Sequence, residues 1–443
     1  MTTFVDSHCH LFNVTDVPLY EALCGKIRMG TLDKFFSLMA GGAAVLANTD
    51  EKLIKRHRNF IRFFEREQKD NLAWFAGQLR EAVIAKQLDV DLIVITPLIM
   101  DFDQVLVKTD IEGDVSVARQ YDRLLLAIEA ARATLFQSIP VKVFPFMGFD
   151  MGKLLLKDAS ALNELKDFWA LKAASPEEHQ AGYAAIPNGK VLGLKLYPPL
   201  GFNPYPNNTT EEEAYLPFYT WCVEQNIPIT VHCQPGSFTG MKSEREMRSH
   251  TDSANWLKLL NKYSRLRKPN DPLNLRNLRI NFAHFGGETE LTEALKGAWE
   301  PEYSYFNAER INPETWVGRL VHLLKNYPNT YADLSAFEFA DETARQELSK
   351  LLDWESKGKR TGIQGVHALS TKLLWGSDVP MIISSDSYLQ EKYQDVTTPM
   401  GYQYLFGHFL RMVQETEALA GETNKQQFVT ALTQDNPARF MLL

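Results

Sequence analysis

The sequence predicts an α/β fold, a (β/α)8 barrel in which eight parallel strands are each followed by a helix. Short β-branched or apolar runs recur eight times, and segments with the apolar spacing of helices separate them. Parallel neighbours need a crossover of a dozen or more residues, and eight such units are the number that closes a TIM barrel. The predicted strands are residues 4–11, 91–98, 141–149, 191–197, 227–233, 278–284, 330–335 and 373–377.

Helical periodicity is clearest between the strands, in residues 122–136, 214–226 and 319–327. An open, doubly wound sheet is the alternative that this alternation of strands and helices leaves open. Its dinucleotide-binding version is not supported, because no GxGxxG turn follows the first strand.

The chain is much longer than a minimal barrel, which needs about 250 residues, so insertions must hold the excess of its 443 residues. The largest is the helical segment at about residues 13–88, which follows the first strand and is therefore expected to cover the C-terminal face of the strands. Other long segments follow later strands on the same face, at 151–190, 235–277, 285–318 and 336–372. No internal repeat or linker stands out, so residues 1–443 are predicted to form a single domain.

Composition excludes several classes of function. A net charge of −8 argues against a nucleic-acid partner, although it leaves room for a small anionic substrate. The four cysteines form no CxxC pair and do not indicate a disulfide framework. No apolar run is long enough to span a membrane, and the N-terminus has no basic start followed by an apolar stretch. A cytoplasmic protein without membrane contacts is the expectation.

The first strand ends in VDSHCHLF, which carries two histidines two residues apart. Alternate residues of a strand share a face, so His8 and His10 point the same way while Cys9 points the other way. Two imidazoles on one face at the end of a strand can chelate one ion. The pattern alone is a modest signal.

Further ligand types stand at the ends of later predicted strands. The fifth strand ends in IPITVHCQ at His232, the sixth in RINFAHFGG at His284, and the eighth in LLWGSDVP at Asp378. The C-terminal ends of barrel strands converge on one face, so these residues are expected to meet His8 and His10 there. Three histidines and a carboxylate suit Zn²⁺ or another borderline divalent ion, with His284 as a fourth histidine nearby.

The motifs VDSHCH, VHC, AHFGG and WGSD, in this order at these strand ends, resemble those of the amidohydrolase superfamily. They are most similar to the amidohydrolase 2 branch, which includes aminocarboxymuconate-semialdehyde decarboxylase. The segment NPARFMLL at 436–443 also resembles that family's closing helix, N-A-x-R-L-x-x-L. The resemblance runs from Phe4 to Leu443, but only the strand ends are specific.

The resemblance implies a set of roles around one divalent metal ion, with Zn²⁺ first and Mn²⁺ second. His8, His10 and His232 would be ligands. Asp378 would bind the metal, its waters or both, and act as general base. His284 would polarise or protonate the substrate. Dimers are common among such enzymes, so a homodimer is a further expectation.

Basic residues near the predicted site have two interpretations each. Lys195, in GLKLYP at the end of the fourth strand, stands where some superfamily members carry a carboxylated lysine between two metals. Because one metal is usual in the amidohydrolase 2 branch, Lys195 is interpreted as a substrate contact or a structural group. Lys242, Arg245 and Arg248 follow the fifth strand; either they bind a substrate carboxylate, Arg245 above all, or they form a solvated helix surface.

Three functions are consistent with this site. The first is a metal-dependent hydrolase that acts on a small, carboxylated organic substrate through a metal-activated water. The second is a metal-dependent nonoxidative decarboxylase, a lyase acting on a dienoic or aromatic acid. The third is a binding module that keeps the barrel without catalysis. The complete ligand set argues against the third, and the sequence does not separate the first two.

Overall fold

The computed structural model describes residues 1–11, 63, 66–102, 116–156, 160–235, 244–265, 274–296, 311–356, 367–380 and 401–442. Short buried strands, rich in Val, Ile, Leu and Phe, form the centre of the molecule. They are β1 (Thr3–Cys9), β2 (Leu92–Pro97), β3 (Val141–Val143), β4 (Phe146–Gly148), β5 (Gly193–Leu196), β6 (Pro228–His232), β7 (Arg279–Ala283), β8 (Thr330–Asp333) and β9 (Leu373–Leu374).

All the strand pairs are parallel. They form two ladders, one in the order β1-β2-β3 and the other in the order β4-β5-β6-β7-β8-β9. Individual bridges join the two ladders at both ends: Leu98 pairs with Phe146, and Cys9 pairs with Val379. At the second join the amide of Asp378 also donates to the carbonyl of His8 at 2.8 Å. The sheet therefore returns to its first strand, as a (β/α)8 barrel requires.

Helices surround the ring of strands. The first half of the chain contributes α1 (Gln68–Ala85), α2 (Val117–Ala130), α3 (Arg132–Leu135), α4 (Lys153–Leu156), α5 (Ser160–Lys172), α6 (Pro176–Ala181) and α7 (Thr209–Glu224). The second half contributes α8 (Glu244–Thr251), α9 (Ser253–Arg265), α10 (Glu288–Lys296), α11 (Trp316–Asn326), α12 (Glu342–Ser356), α13 (Gly401–Glu415), α14 (Glu422–Thr430) and α15 (Asn436–Met441).

Local sequence explains where several helices begin. The side chains of Ser116, Asn208 and Thr315 each accept a hydrogen bond from the first turn of the helix that follows. Such caps satisfy backbone N–H groups that have no partner within the helix. The helix α11 then buries an apolar stripe that includes Leu320, Val321 and Leu324.

The predicted fold class is confirmed, and each of the eight predicted strands contains strand structure. The third is divided into β3 and β4 at Phe144–Pro145, because proline has no N–H to give to a ladder. Most of the predicted insertion at 13–88 lies outside the described residues; its described part includes α1. Within the described part of the chain, no helix combines the length and the apolar character needed to cross a bilayer.

Candidate metal centre

Three side chains meet where the first and last strands join. Nε2 of His8 lies 3.4 Å from Oδ1 of Asp378, and Nε2 of His10 lies 3.5 Å from the same oxygen. All three residues are buried. The spacing of two residues along β1 brings the two imidazoles to one face, as the sequence predicts, and the seam with β9 brings the carboxylate to them.

Asp378 has an unusual backbone conformation that fixes the position of its side chain. Its φ is +54°, in the left-handed region that aspartate tolerates better than most residues. Burial raises the pKa of its carboxyl group to about 6, although the charges of His8 and Lys195 oppose that rise.

Asp6 lies two residues before His8 on β1 and binds backbone groups. Its Oδ1 accepts hydrogen bonds from the amides of His8 at 3.2 Å and Ser377 at 3.1 Å. It thereby holds together the two chain segments that carry His8 and Asp378. Its role is therefore structural.

Asp333 and Ser335, at the end of β8, are functional candidates that sequence reasoning missed. Oδ2 of Asp333 lies 3.0 Å from Nδ1 of His8, and the Ser335 hydroxyl lies 3.0 Å from that same nitrogen. Burial alone would raise the pKa of Asp333, but the charge and hydrogen bond of His8 hold it well below its usual range. Their spacing of two residues at a strand end repeats the His8–His10 pattern and was the available signal.

His232 and His284 lie side by side, with Nε2 of His284 3.1 Å from Nδ1 of His232. On its other edge, Nδ1 of His284 lies 2.9 Å from the Ser335 hydroxyl. Burial lowers the pKa of His284 well below its ordinary value, as it does that of His10. The structure thus brings His232 into the same histidine cluster, through His284, whereas the tight trio consists of His8, His10 and Asp378.

Lys195 is buried in β5 and contributes positive charge to the site. Burial lowers the pKa of its ammonium to about 8, and the charges of Asp333 and Asp378 oppose the decrease. Its Nζ lies 5.9 Å from the centre of the Tyr197 ring. That ring packs in turn against His232, with the ring centres 5.0 Å apart.

The basic residues after the fifth predicted strand are placed differently from one another. Arg245 is exposed on α8. Arg248 forms an ion pair with Glu290 at 2.6 Å and lies over the Trp316 ring. Lys242 lies outside the described residues.

The cysteines beside the ligands are buried thiols. Cys9, Cys222 and Cys233 are free, and Cys24 lies outside the described residues. Cys233 accepts a hydrogen bond from the indole of Trp316 at 3.4 Å, on the side of the helices. Burial raises the pKa of its thiol to about 12. Both Cys9 and Cys233 are part of the apolar core.

The trio of His8, His10 and Asp378 fits a divalent cation. Donor atoms around a tetrahedral zinc ion, with bonds of about 2.0–2.1 Å, lie about 3.3 Å apart. The separations of 3.4 and 3.5 Å to Asp378 match such edges. In addition, Nε2 of His8 is buried and has no hydrogen-bond partner in the described structure, a costly state that a metal bond would relieve.

A second group of potential ligands, His8, His284 and Asp333, lies next to the first. The Ser335 hydroxyl lies among these three side chains and forms hydrogen bonds with each. The polar atoms of this second group are therefore already used in hydrogen bonds, whereas Nε2 of His8, in the first group, has none among the described residues. The first group is the better metal site.

Comparisons with known proteins were made at three levels. No protein-family model matches the chain. No curated protein matches it either. Among solved structures, the chain is similar to 5-carboxyvanillate decarboxylase LigW from Sphingomonas paucimobilis, at 10% identity and a TM-score of 0.45, with 100% of this chain and 99% of that chain covered.

Two further structures are similar to the chain. One is a phosphotriesterase homology protein from Escherichia coli, at 10% identity and a TM-score of 0.44, covering 99% of each chain. The other is an amidohydrolase from Burkholderia ambifaria with bound Zn, at 11% identity and a TM-score of 0.33, covering 96% of this chain and 88% of that one.

Proposed function

We propose that the protein is a metal-dependent hydrolase that acts on a small, carboxylated organic substrate. The observation that carries the proposal is the convergence of His8 Nε2 and His10 Nε2 on one oxygen of Asp378, at 3.4 and 3.5 Å, in a buried site. Zn²⁺ is the first choice of ion, because two imidazoles and a carboxylate suit it, and Mn²⁺ is the second. By the sequence resemblance, His232 is a further ligand.

A divalent ion bound here would act as a Lewis acid and lower the pKa of a coordinated water toward neutrality. The side chains of the chain do the rest. Asp378, which lies against both His8 and His10, would accept a proton from the attacking water and return it to the leaving group. Lys195 stays protonated at pH 7 with a pKa of about 8, and its ammonium stabilises negative charge that develops on the substrate.

Nonoxidative decarboxylation of a dienoic or aromatic acid is the alternative reaction. One feature favours it: the buried ammonium of Lys195 could donate a proton to the carbon that loses carbon dioxide. The two reactions need the same cation and differ in whether water is consumed. Arg245 is proposed to bind a substrate carboxylate in either case, and the partners proposed are a small molecule and a second copy of the chain.

Metal reconstitution and isotope labelling test the proposal. Protein stripped with a chelator is titrated with Zn²⁺ or Mn²⁺ and assayed on carboxylated amides and lactones, and on dienoic and aromatic acids, in ¹⁸O-labelled water. Hydrolysis places ¹⁸O in the organic product, whereas decarboxylation releases carbon dioxide and leaves the organic product without ¹⁸O. His8→Ala should lose both metal and activity, and His322→Ala, on α11, should keep both. Wild-type protein that takes up neither ion would overturn the proposal.

A further inference from the structure

Both carboxylate oxygens of Asp333 are surrounded by hydrogen-bond donors. Its Oδ2 accepts from Asn281 Nδ2 at 2.6 Å and contacts His8 Nδ1 at 3.0 Å. Its Oδ1 accepts from the amide of His284 at 3.0 Å, from the amide of Ser335 at 3.1 Å and from the Ser335 hydroxyl. An ionised carboxylate can only accept, so each of these partners must supply a proton.

This requirement determines where the proton of His8 lies. Nδ1 faces the carboxylate and must donate, so the neutral ring has its lone pair on Nε2. Nε2 is the nitrogen that faces Asp378 and the proposed ion. A histidine ligand whose other nitrogen donates to a carboxylate is held in both orientation and tautomer.

The same counting extends to His284. A serine hydroxyl has one proton, and that of Ser335 is donated to Asp333. The hydroxyl oxygen can therefore only accept from Nδ1 of His284, which lies 2.9 Å away. The Ser335 carbonyl, 3.3 Å from this nitrogen, is also an acceptor and requires the same proton on Nδ1.

We propose that Asp333 is a positioning residue that sets the tautomers of the histidine cluster, directly for His8 and through Ser335 for His284. Nε2 of the neutral His284 then accepts from Nδ1 of His232, 3.1 Å away. Both nitrogens of His284 are engaged, so His284 has no proton to give to a substrate. It positions His232, which differs from the acid role that the sequence resemblance implies.

The tautomers can be observed without metal or substrate. Metal-free protein is labelled with ¹⁵N at its ten histidines and studied by long-range ¹H–¹⁵N correlation. His8, His232 and His284 are expected to carry the proton on Nδ1. His10 serves as an internal reference, because its Nδ1 lies 3.1 Å from the Leu98 carbonyl, which also requires a proton there. A proton on Nε2 of His8 or of His284 in the wild-type protein would overturn the proposal.

Two variants separate positioning from packing. In Asp333→Asn, one carboxylate oxygen is replaced by an NH₂ group. If the remaining oxygen still accepts from the amides of His284 and Ser335, the NH₂ group faces Nδ1 of His8. Nδ1 must then accept, and the proton of the His8 ring moves to Nε2. Zn²⁺ affinity should then fall about 10- to 100-fold, as expected for loss of an outer partner of a ligand. Ser335→Ala keeps the Asp333 carboxylate opposite His8, so the proton should stay on Nδ1 of His8 and Zn²⁺ affinity should change less than about threefold. His284 loses the hydroxyl that links it to Asp333 and keeps only the carbonyl at 3.3 Å, so its spectrum should show a mixture of the two tautomers.

The outcomes distinguish this inference from the proposed function, on which only its metal readout rests. Protein that binds no metal but shows the expected tautomers would refute the hydrolase proposal alone. Protein that binds Zn²⁺ with His284 protonated on Nε2 would refute the positioning role alone. If Asp333→Asn does not fold, the spectrum of the wild-type protein still decides.

Discussion

Gly376 lies so close to His8 that a side chain cannot be accommodated between them. A Cβ built on Gly376 would lie 2.7 Å from the Cβ of His8 and 3.2 Å from that of Ser335. The glycine of the WGSD motif therefore lets the last strand approach the first closely enough for Asp378 to reach His8. A glycine is required at this position by the lack of space for a side chain and not by an unusual backbone conformation.

Gly376→Ala should displace His8 from the ligand position. We expect a loss of about 1–3 kcal/mol in stability from overpacking and at least a tenfold loss of Zn²⁺ affinity. Gly77→Ala is the control, because nothing lies within 4 Å of a Cβ there and the residue is inside α1. That variant should gain up to about 1 kcal/mol and keep its metal. Chemical denaturation and competition with a metal chelator measure both quantities; an unchanged affinity in Gly376→Ala would contradict the explanation.

Asp378→Asn should separate metal binding from folding. Asparagine also tolerates a positive φ, so the backbone at +54° is expected to be kept. Zn²⁺ at about 100 times its dissociation constant should stabilise the wild-type protein by about 2.7 kcal/mol, since it binds only the folded state. The variant should gain almost nothing at the same concentration. Equal gains in the two proteins would mean that the ion binds elsewhere.

Glu288 should make stability depend on pH. Burial raises the pKa of its carboxyl to about 7, and nearby Glu338, Asp341 and Glu347 add to the rise while a hydrogen bond from the amide of Glu338 opposes it. Because the folded pKa lies above the ordinary 4.5, this contribution to stability is complete below about pH 4.5 and is lost by about pH 7. The loss amounts to at most about 3 kcal/mol.

Glu288→Gln should remove that decrease, since an amide does not ionise and its oxygen can still accept the Glu338 amide. Denaturant unfolding at several pH values between 4.5 and 7.5 compares the two proteins. Curves that stay parallel over this range would show that Glu288 titrates normally.

Substitution of the two basic candidates should have different effects on the kinetics. Arg245 is exposed, so a contact with a substrate carboxylate is worth about 0.2–1 kcal/mol, and Arg245→Met should raise KM up to about fivefold with kcat unchanged. Lys195 is buried beside Asp378, so Lys195→Met should lower kcat by at least about 100-fold. A variant of Lys195 that changes only KM would assign it to ground-state binding.

The sequence predicts the barrel because each strand can be recognised from its local sequence. The runs ending at His10, His232 and Asp378 are apolar, short and followed by turn residues, and these properties do not depend on tertiary contacts. The predicted ends extend past the observed strands, for example to Ser335, which lies in a turn, and to Ser377, which follows the last strand. The division of the third predicted strand falls at Pro145, a residue that cannot donate to a ladder.

The site is predictable to the extent that its residues are ligand types at strand ends. Asp333 met that criterion but in YADLSAF it resembles an ordinary turn residue. What distinguishes it is the set of donors from β1, β7 and its own loop, which only the folded chain brings together. The engagement of both nitrogens of His284 likewise depends on His232 and Ser335, which are distant in sequence. The exposure of Arg245 also follows from the folded chain and not from its local sequence.

The seam between the first and last strands has a consequence for the order of assembly. The hydrogen bond from Ser377 to Asp6 joins residues 371 positions apart, so the ligand trio forms only when a very long loop of the chain has closed. During synthesis the two histidines precede the other strands, and their carboxylate partner follows them. An ion held by all three side chains would therefore bind only after the first and last strands have paired, so its uptake would report that the barrel is complete.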